Sequence, residues 1–350
     1  MQQKMVGDVL TSSILCENLR RLLPGADVHF VAHAGAAPVL QGNPNIDRIH
    51  AYPARSTWQA KRPLADTLRS LQFDALIDVY GKWESLQLVR HCRAKRSITY
   101  RKWYSRGFYT DTVTRVAHSK SGLPLAIEHR LQLLQPLLGA LDPAQLVHRP
   151  RLYVSDSERV GARAFLASHH ISPAQPLLMV SALGSDVSKT FPLPAMAQLL
   201  DRIVARCDAQ LLFNCLPNQR AQAEALFGLC NEATRRRIAL DAYPQGLREF
   251  IAVLAECDGL FGNEGGAVNM ARALDVPSFC IFSPWISKQV WDINDDGRHT
   301  AVHLADFAPQ LLHALTTAKI KQRTVELYAA FDPHWVEPAL DQFVATRVAG

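Results

Sequence analysis

Short apolar runs alternate with amphipathic stretches throughout the second half of the chain. Residues 176–183 form a strand-like run, and the apolar positions of 193–207 recur at the spacing of one helix face. The alternation continues with strand-like runs over 209–216, 236–240, 258–263 and 278–282 and helical stretches over 218–230, 247–257 and 265–276. Strands that alternate with helices through short connections are typical of a parallel sheet covered by helices on both faces.

The first half of the chain repeats this pattern. A helical stretch over 8–23 is followed by strand-like runs over 27–32, 47–52 and 74–80, and residues 142–157 are typical of a connector. The chain is therefore predicted to be an α/β protein with two doubly wound parallel-sheet domains.

The predicted domains span residues 1–150 and 151–320. Residues 321–350 are predicted to form helices, broken at Pro333, that pack back on the amino-terminal domain. The first helix lacks the strand that should lead into it, because the preceding MQQKMVG is short and polar. We expect that this first strand is truncated or that the natural start lies upstream.

Composition narrows the class of protein. The chain has 350 residues, 48% of them hydrophobic and 20% charged, which allows two sizeable cores and argues against disorder. No apolar run reaches the roughly 18 residues that a membrane span needs, and no secretory signal opens the chain, so a cytoplasmic location is expected. Seven scattered cysteines without a CxxC pair predict neither a disulfide framework nor a zinc site. The net charge of +6 suits an anionic partner.

The glycines of GNEGGA, residues 262–267, stand between a predicted strand and a predicted helix. Free amide groups at a helix N-terminus attract anions, and Gly265 and Gly266 would allow a pyrophosphate to approach the backbone closely. Glu264 could accept a hydrogen bond from a sugar hydroxyl, or it could serve only as a favourable charge in the first turn.

A second loop, SALGSDVSKTFP over 181–192, also follows a strand and precedes a helix. It offers the hydroxyls of Ser181, Ser185 and Ser188, and Lys189 could neutralise a departing diphosphate. A solvated lysine in a polar loop is the alternative.

Asp8 stands at the beginning of the first predicted helix. Its side chain could cap that helix, or it could act as a general base that takes a proton from an attacking hydroxyl. Ligands of doubly wound domains bind at the carboxyl ends of the strands, where such loops lie.

Residues 95–109 interleave basic side chains with tyrosine, tryptophan and phenylalanine. This mixture suits a phosphorylated glycan, a membrane surface or a single-stranded nucleic acid, and it is also compatible with a solvated basic loop. The residues that could contact an anionic acceptor are Lys61, Arg62, Lys82, Arg101, Lys102 and Arg106.

From Gly7 to about Trp291 the chain resembles glycosyltransferase family 9, the lipopolysaccharide heptosyltransferases. Three motifs carry the resemblance: GDVL at 7–10, the serine-containing loop that ends in KTFP at 189–192, and GNEGGAVNMARALDVP at 262–277 followed by FSPW. The family usually has Asp-Ser/Thr-Gly-Pro-x-His where this chain has Glu264 to Asn269, and tryptophan where it has Phe191.

The resemblance implies the GT-B architecture, in which two Rossmann-like domains face one another across a cleft. It implies that Asp8 is the catalytic base, that Lys189 assists departure of the diphosphate, and that the Gly265–Gly266 turn holds the pyrophosphate. The donor-binding residues would be Ser181, Ser185, Lys189, Glu264, Gly265, Gly266 and Ala267.

The reaction implied is inverting transfer of a heptose or related sugar, from a donor such as ADP-heptose, to a lipopolysaccharide core or other lipid-linked oligosaccharide. No metal or other cofactor is implied, and no nucleic acid partner. The enzyme would work in the cytoplasm, peripherally at the inner membrane face, where its anionic glycolipid acceptor lies.

Three other interpretations remain open from the sequence. A nucleotide-sugar 2-epimerase shares the architecture but needs no acceptor, so the basic stretch argues against it. A nucleic-acid-binding protein would use the basic stretch, although no RRM, KH or helix-turn-helix motif occurs. The chain could also be an inactive relative that has lost its first strand.

Overall fold

The computed structural model describes residues 1–55, 57–105, 107–142, 145–292 and 297–348. They form two compact units, Met1–Tyr153 and Val154–Gly350. The boundary falls inside the predicted connector.

The first unit is built from parallel strands with helices between them. Its strands are β1 (His29–His33), β2 (Arg48–Tyr52), β3 (Ala75–Asp78), β4 (Arg96–Tyr100) and β5 (Asp111–Val113). Its helices are α1 (Val6–Ser12), α2 (Ile14–Leu22), α3 (Trp58–Ser70), α4 (Trp83–Cys92), α5 (Leu125–Gln132) and α6 (Gln135–Leu138). The strands form one ladder of β1 with β2 and another in the order β3-β4-β5, and all pairs are parallel.

Met1, Gln2 and Gln3 join the two ladders of the first unit. The amide of Gln2 donates to the carbonyl of Val31 at 3.1 Å, and the amide of His33 donates to the carbonyl of Gln3 at 3.0 Å. On the other side the amino group of Met1 donates to the carbonyl of Ile77 at 2.6 Å, and the amide of Val79 donates to the carbonyl of Met1 at 3.0 Å.

This short segment therefore holds the place of a central strand, between β1 and β3. The sequence analysis judged it too polar for such a place, yet Gln2 and Gln3 are 4% and 0% exposed. The main chain of Met1–Gln3 as a whole is bonded to the strand on either side, and these bonds do not depend on side-chain polarity. The resulting order, β2-β1-segment-β3-β4-β5, is that of a doubly wound Rossmann sheet.

The second unit contains one six-stranded parallel sheet in the order β11-β10-β9-β6-β7-β8. The strands are β6 (Leu177–Ser181), β7 (Gln210–Phe213), β8 (Ile238–Ala239), β9 (Gly259–Asn263), β10 (Ser278–Ile281) and β11 (His299–Val302). The helices up to the last strand are α7 (Asp156–Ser168), α8 (Leu193–Cys207), α9 (Arg220–Leu229), α10 (Glu232–Arg235), α11 (Leu247–Leu254), α12 (Gly266–Ala273) and α13 (Lys288–Trp291). Those after it are α14 (Leu304–Phe307), α15 (Thr317–Gln322), α16 (Thr324–Ala329) and α17 (Pro333–Arg347).

The direction of chain progression in this sheet reverses between β6 and β9, so these two strands flank the switch point where ligands of doubly wound sheets bind. The predicted parallel α/β architecture is confirmed in both units.

The carboxy-terminal helix packs within the second unit. Helix α17 begins at Pro333 and buries Val336, Leu340, Phe343 and Val344 in the core of that unit. Its charged face pairs with α8, where the guanidinium of Arg202 bonds both carboxylate oxygens of Asp341 at 2.7 and 2.8 Å. The sequence analysis placed these helices on the amino-terminal domain; the observed contacts with α8 correct it, because the apolar face of α17 completes the second core.

Strands β6 and β9 approach closely at Gly262. A Cβ atom at this position would lie 2.2 Å from the carbonyl oxygen of Ser181, and its φ of +140° is one that side chains rarely permit. Only glycine therefore allows the ends of the two strands to lie side by side.

Replacing Gly262 with alanine should lower the free energy of unfolding by about 2–4 kcal/mol, because the new methyl group clashes with backbone that cannot move aside. The urea midpoint of unfolding measures the effect. The matched control is Gly161→Ala in α7, where nothing lies within 4 Å of the added Cβ and where the change should stabilise by about 0.5–1 kcal/mol. Equal midpoints for Gly262→Ala and the wild type would contradict the close approach.

Candidate functional site

The switch point of the second unit is organised by one buried asparagine. The side-chain amide of Asn263, the last residue of β9, donates to the carbonyls of Ala182 at 2.6 Å and Ser181 at 3.2 Å. Its oxygen accepts from the amide of Phe191 at 2.8 Å. Asn263 is fully buried, so it ties both ends of the loop 182–191 to the end of β9 without help from solvent.

Between these ends the loop is folded by its own polar groups. The carboxylate of Asp186 accepts from the amide of Ser188 at 2.9 Å and from its hydroxyl at 2.6 Å. The amide of Gly184 donates to the hydroxyl of Thr190 at 3.0 Å. A Cβ at Gly184 would lie 2.3 Å from the carbonyl oxygen of Lys189, so the loop can close tightly only on glycine. The predicted loop is thus a compact turn that holds Lys189 in a defined place.

Lys189 and Glu264 meet at the switch point. The ammonium of Lys189 lies 3.2 Å from Oε1 of Glu264, with the side chains 25% and 12% exposed. The pair is an electrostatic contact without hydrogen-bond geometry, since this buried Oε1 has no hydrogen-bond partner. Glu264 therefore keeps an unused acceptor beside an ammonium group.

The N-terminus of α12 lies next to this pair. Gly265 is its N-cap, with no side chain hydrogen-bonded across the end, a φ of +156° and no atom within 4 Å of where a Cβ would stand. Gly266 opens the helix and Ala267 is buried behind it. No side chain caps this helix end, and an uncapped helix N-terminus is the kind of place where a phosphate can bind.

Trp285 supports the loop from the other side and carries a second cation that the sequence analysis missed. Its indole N–H donates to the carbonyl of Ser188 at 3.1 Å. The ammonium groups of Lys189 and Lys321 lie 5.4 and 4.5 Å from the centre of its ring. Hydrogen bonds from Ser188, and then these two ammonium groups, hold the pKa of Asp186 below its ordinary value. Lys321 was missed because it belongs to the helical tail, far along the chain from either glycine motif.

The serines of the loop occupy different surroundings. Ser181 is 6% exposed as the last residue of β6, whereas Ser185 is exposed, and its hydroxyl lies 3.4 Å from the carboxylate of Asp186. Of the two serines predicted to bind the donor, Ser185 is therefore the one that is exposed.

In the first unit, Asp8 lies on α1, directly after the segment that occupies the central strand position. The N-cap of α1 is Met5, so Asp8 is not the cap but a carboxylate in the first turn. Its side chain is 32% exposed, which leaves one side open to a substrate. This is the switch point of the first sheet, between β1 and β3.

Arg130 holds the carboxylate of Asp8 in place. Its guanidinium lies 2.8 Å from Oδ1 of Asp8, donates to the hydroxyl of Ser12 at 2.9 Å and donates to the carbonyl of Ala126 at 2.6 Å. The side chain of Arg130 is only 7% exposed, so the pair is shielded from water and salt on that side. The sequence could not show this pairing, because the contact spans more than a hundred residues of chain.

The predicted acceptor contacts differ in their exposure. Lys82 and Arg101 are exposed, and the ammonium of Lys102 donates to the carbonyl of Gly81 at 2.5 Å. Arg62 is exposed on α3, where it lies 3.7 Å from Asp66. Arg106 lies outside the described residues.

The structure corrects the prediction that Lys61 is available to contact an anionic acceptor. This lysine is 2% exposed, its ammonium donates to the side chain of Gln87 at 2.9 Å, and burial lowers its pKa. It packs between α3 and α4 because it falls on the inward face of α3, with Ala65 and Leu68. It therefore does not belong to an exposed basic surface.

Comparison with known proteins agrees with this arrangement of strands and loops. Residues 61–304 match the model of glycosyltransferase family 9 (heptosyltransferase). The chain belongs to this family. Lipopolysaccharide heptosyltransferase 2 of Salmonella typhimurium is 23% identical to it over 288 residues, which are 80% of each chain.

Two solved structures show the same fold as this family 9 glycosyltransferase. One is the family 9 enzyme of Veillonella parvula, with a TM-score of 0.78, 14% identity and coverage of 98% of this chain and 95% of that one. The other is ADP-heptose lipopolysaccharide heptosyltransferase II of E. coli, with a TM-score of 0.71, 18% identity and coverage of 94% and 97%. The GT-B class predicted from the sequence is thereby confirmed.

Two further findings bear on cofactors and membranes. Among the residues that the structure describes, no group of three or more histidines, cysteines, aspartates or glutamates is placed to hold a metal ion. Within the same residues, every helix is too short or too polar to cross a bilayer.

Proposed function

We propose that this family 9 glycosyltransferase transfers a heptose, with inversion, from ADP-heptose to the core of a lipopolysaccharide or another lipid-linked oligosaccharide. The observation that supports this most directly is the contact of Lys189 with Glu264 beside the open N-terminus of α12, at the switch point of the second sheet. The similarity to heptosyltransferases, one of which is named for ADP-heptose, supports the choice of donor.

On the donor side, the diphosphate would lie against the amides of Gly265 to Ala267. Lys189 would turn from Glu264 to a phosphate oxygen, because a diphosphate carries more negative charge than one carboxylate. Lys321 would add a second positive charge beside Trp285. The free Oε1 of Glu264 would then accept a hydrogen bond from a ribose or sugar hydroxyl.

On the acceptor side, Asp8 would act as the general base. The acceptor hydroxyl attacks the anomeric carbon, its proton passes to the Asp8 carboxylate, and the bond from that carbon to the diphosphate oxygen breaks. ADP leaves with the bonding electrons, and its new charge is stabilised by Lys189 and the amides of α12. A single displacement of this kind inverts the anomeric centre, and in this proposal no metal cofactor takes part.

The enzyme would act in the cytoplasm, attached peripherally to the inner face of the membrane that carries its acceptor. The exposed cations Lys82 and Arg101 suit an anionic glycolipid.

Replacing Asp8 with asparagine should lower the rate of heptose transfer by about 100-fold or more, because the amide keeps the shape of the side chain but cannot take the proton. Affinity for ADP, measured by calorimetry, should stay close to that of the wild type. Near wild-type turnover by Asp8→Asn would assign the base to another residue.

Replacing Lys189 with alanine should weaken ADP binding by about 10- to 100-fold, the value of one charge-assisted contact. The control is Lys319→Ala, which removes an equally charged but exposed side chain from α15. Calorimetry should separate the two variants clearly. Unchanged affinity in Lys189→Ala would remove this lysine from the donor site.

Arg130 is proposed as a positioning residue for Asp8. Arg130→Met should lower kcat by about tenfold or more while leaving KM for the donor nearly unchanged, because a misdirected base affects the chemical step. Arg130→Lys should restore part of kcat, since one ammonium can still reach the carboxylate. A rise in donor KM with kcat unchanged would assign Arg130 to binding instead.

A further inference from the structure

Two tryptophans of the first unit are mostly exposed to solvent. Trp103 is 91% exposed and Trp83 is 64% exposed. Indole rings usually bury most of their large apolar area in a core or an interface. Two exposed rings within one small region therefore indicate a surface that is covered when the protein works.

The loops that carry these rings are joined at one backbone carbonyl. The oxygen of Gly81 accepts from the ammonium of Lys102 at 2.5 Å and from the hydroxyl of Tyr104 at 2.8 Å. Trp83 begins α4 two residues after this glycine, and Trp103 stands between the two donors. We call this region, made of Lys82, Trp83, Arg101, Lys102 and Trp103, the indole surface.

The indole surface rests on a rigid base. Asp78, the fully buried last residue of β3, accepts from the amide of Gly81 at 2.9 Å and from the hydroxyl of Tyr109 at 2.7 Å. Gly81 has a φ of +51°, and a Cβ there would lie 2.7 Å from the hydroxyl of Thr99. Exposure of the rings is thus imposed by a fixed scaffold beneath them.

Charge and composition indicate the partner. Lys82 and Arg101 are exposed beside the rings, so positive groups surround apolar aromatic ones. Tryptophan prefers the headgroup level of a bilayer, and each nearby Lys or Arg adds attraction to anionic lipid. Single-stranded nucleic acid also stacks on aromatic rings. Met5, between the segment Met1–Gln3 and α1, is 65% exposed as well, and its unbranched apolar side chain suits hydrocarbon and not base stacking.

The same edge of the sheet carries Asp8. The indole surface follows the carboxyl ends of β3 and β4, and Asp8 follows the segment that pairs with β3. The charges of Glu84 and, to a smaller extent, Asp78 and Asp8 add to burial in raising the pKa of Tyr80, which lies between the indole surface and the strand end. A surface that touches this edge would therefore meet Asp8 as well.

We propose that the indole surface docks the first unit on an anionic lipid bilayer, with Trp83 and Trp103 at headgroup depth and the lysine and arginine side chains on lipid phosphates. Docking turns the edge that carries Asp8 toward the membrane. The biological purpose of this orientation rests on the proposed function, since a lipid-linked acceptor has to be reached there, but the docking itself is measured without any reaction.

The test is sedimentation with vesicles of phosphatidylethanolamine and phosphatidylglycerol, compared with vesicles of phosphatidylcholine. The wild type should bind the anionic vesicles preferentially. The double variant Trp83→Ala/Trp103→Ala should bind them about tenfold or more weakly, because two large apolar contacts are removed. Both rings are mostly exposed, so the variant should melt at the wild-type temperature.

The matched control is Val160→Ser/Val325→Ser, which removes two apolar side chains of the second unit that are 60% and 65% exposed. It should bind vesicles as the wild type does. In addition, lipids brominated near the headgroup should quench wild-type tryptophan fluorescence strongly and that of Trp83→Ala/Trp103→Ala weakly.

Equal vesicle binding by the wild type and the tryptophan double variant would overturn the proposal. So would binding to a single-stranded oligonucleotide that exceeds vesicle binding and depends on the same two rings. Failure of the proposed reaction is a separate result: the double variant should still bind ADP normally, and a protein that docks on vesicles but transfers no heptose would refute the reaction and leave the docking intact.

Discussion

The close approach of β6 and β9 is the constraint on which the second unit depends. Gly262 permits it, and Asn263 converts it into a fixed geometry by bonding the loop that follows β6 at both ends. That loop in turn places Lys189 against Glu264. An apolar residue in place of Asn263 would remove the partner of two carbonyls and of one amide, and an aspartate could accept from the amide but could not donate to the carbonyls. The position of the cation is therefore determined by buried backbone groups more than by its own contacts.

The first unit also places a charged side chain at a switch point, but it uses a shorter segment of chain. Three residues at Met1–Gln3 bond to β1 on one side and to β3 on the other, and they deliver Asp8 to the gap where the order of strands reverses. Arg130 then holds the carboxylate through a guanidinium that is itself bonded to a helix carbonyl. In both units a charged side chain stands at a switch point, supported by residues that are buried.

Periodicity and turn chemistry predicted the two parallel-sheet units, and the glycine motif predicted the helix that begins at Gly266. The sequence could not show contacts that join distant parts of the chain, such as Arg130 with Asp8 or Lys321 with Trp285. The pattern of apolar and polar positions also failed to predict that certain polar residues are buried. The main chain of Met1–Gln3 is bonded to both neighbouring strands, and the buried ammonium of Lys61 is bonded to Gln87. Such partners cannot be detected by counting apolar positions.

The contact between Lys189 and Glu264 affects which anions can bind at the switch point of the second sheet. A cation that keeps its own counter-ion has little net charge to offer a passing inorganic phosphate or a stray carboxylate. An incoming anion must compete with the carboxylate of Glu264 for the ammonium of Lys189. It can do so only by also gaining contacts with the backbone amides of α12. In the proposed reaction the site would therefore select ligands that make several contacts at once, and Glu264 would pair with Lys189 again when the product leaves.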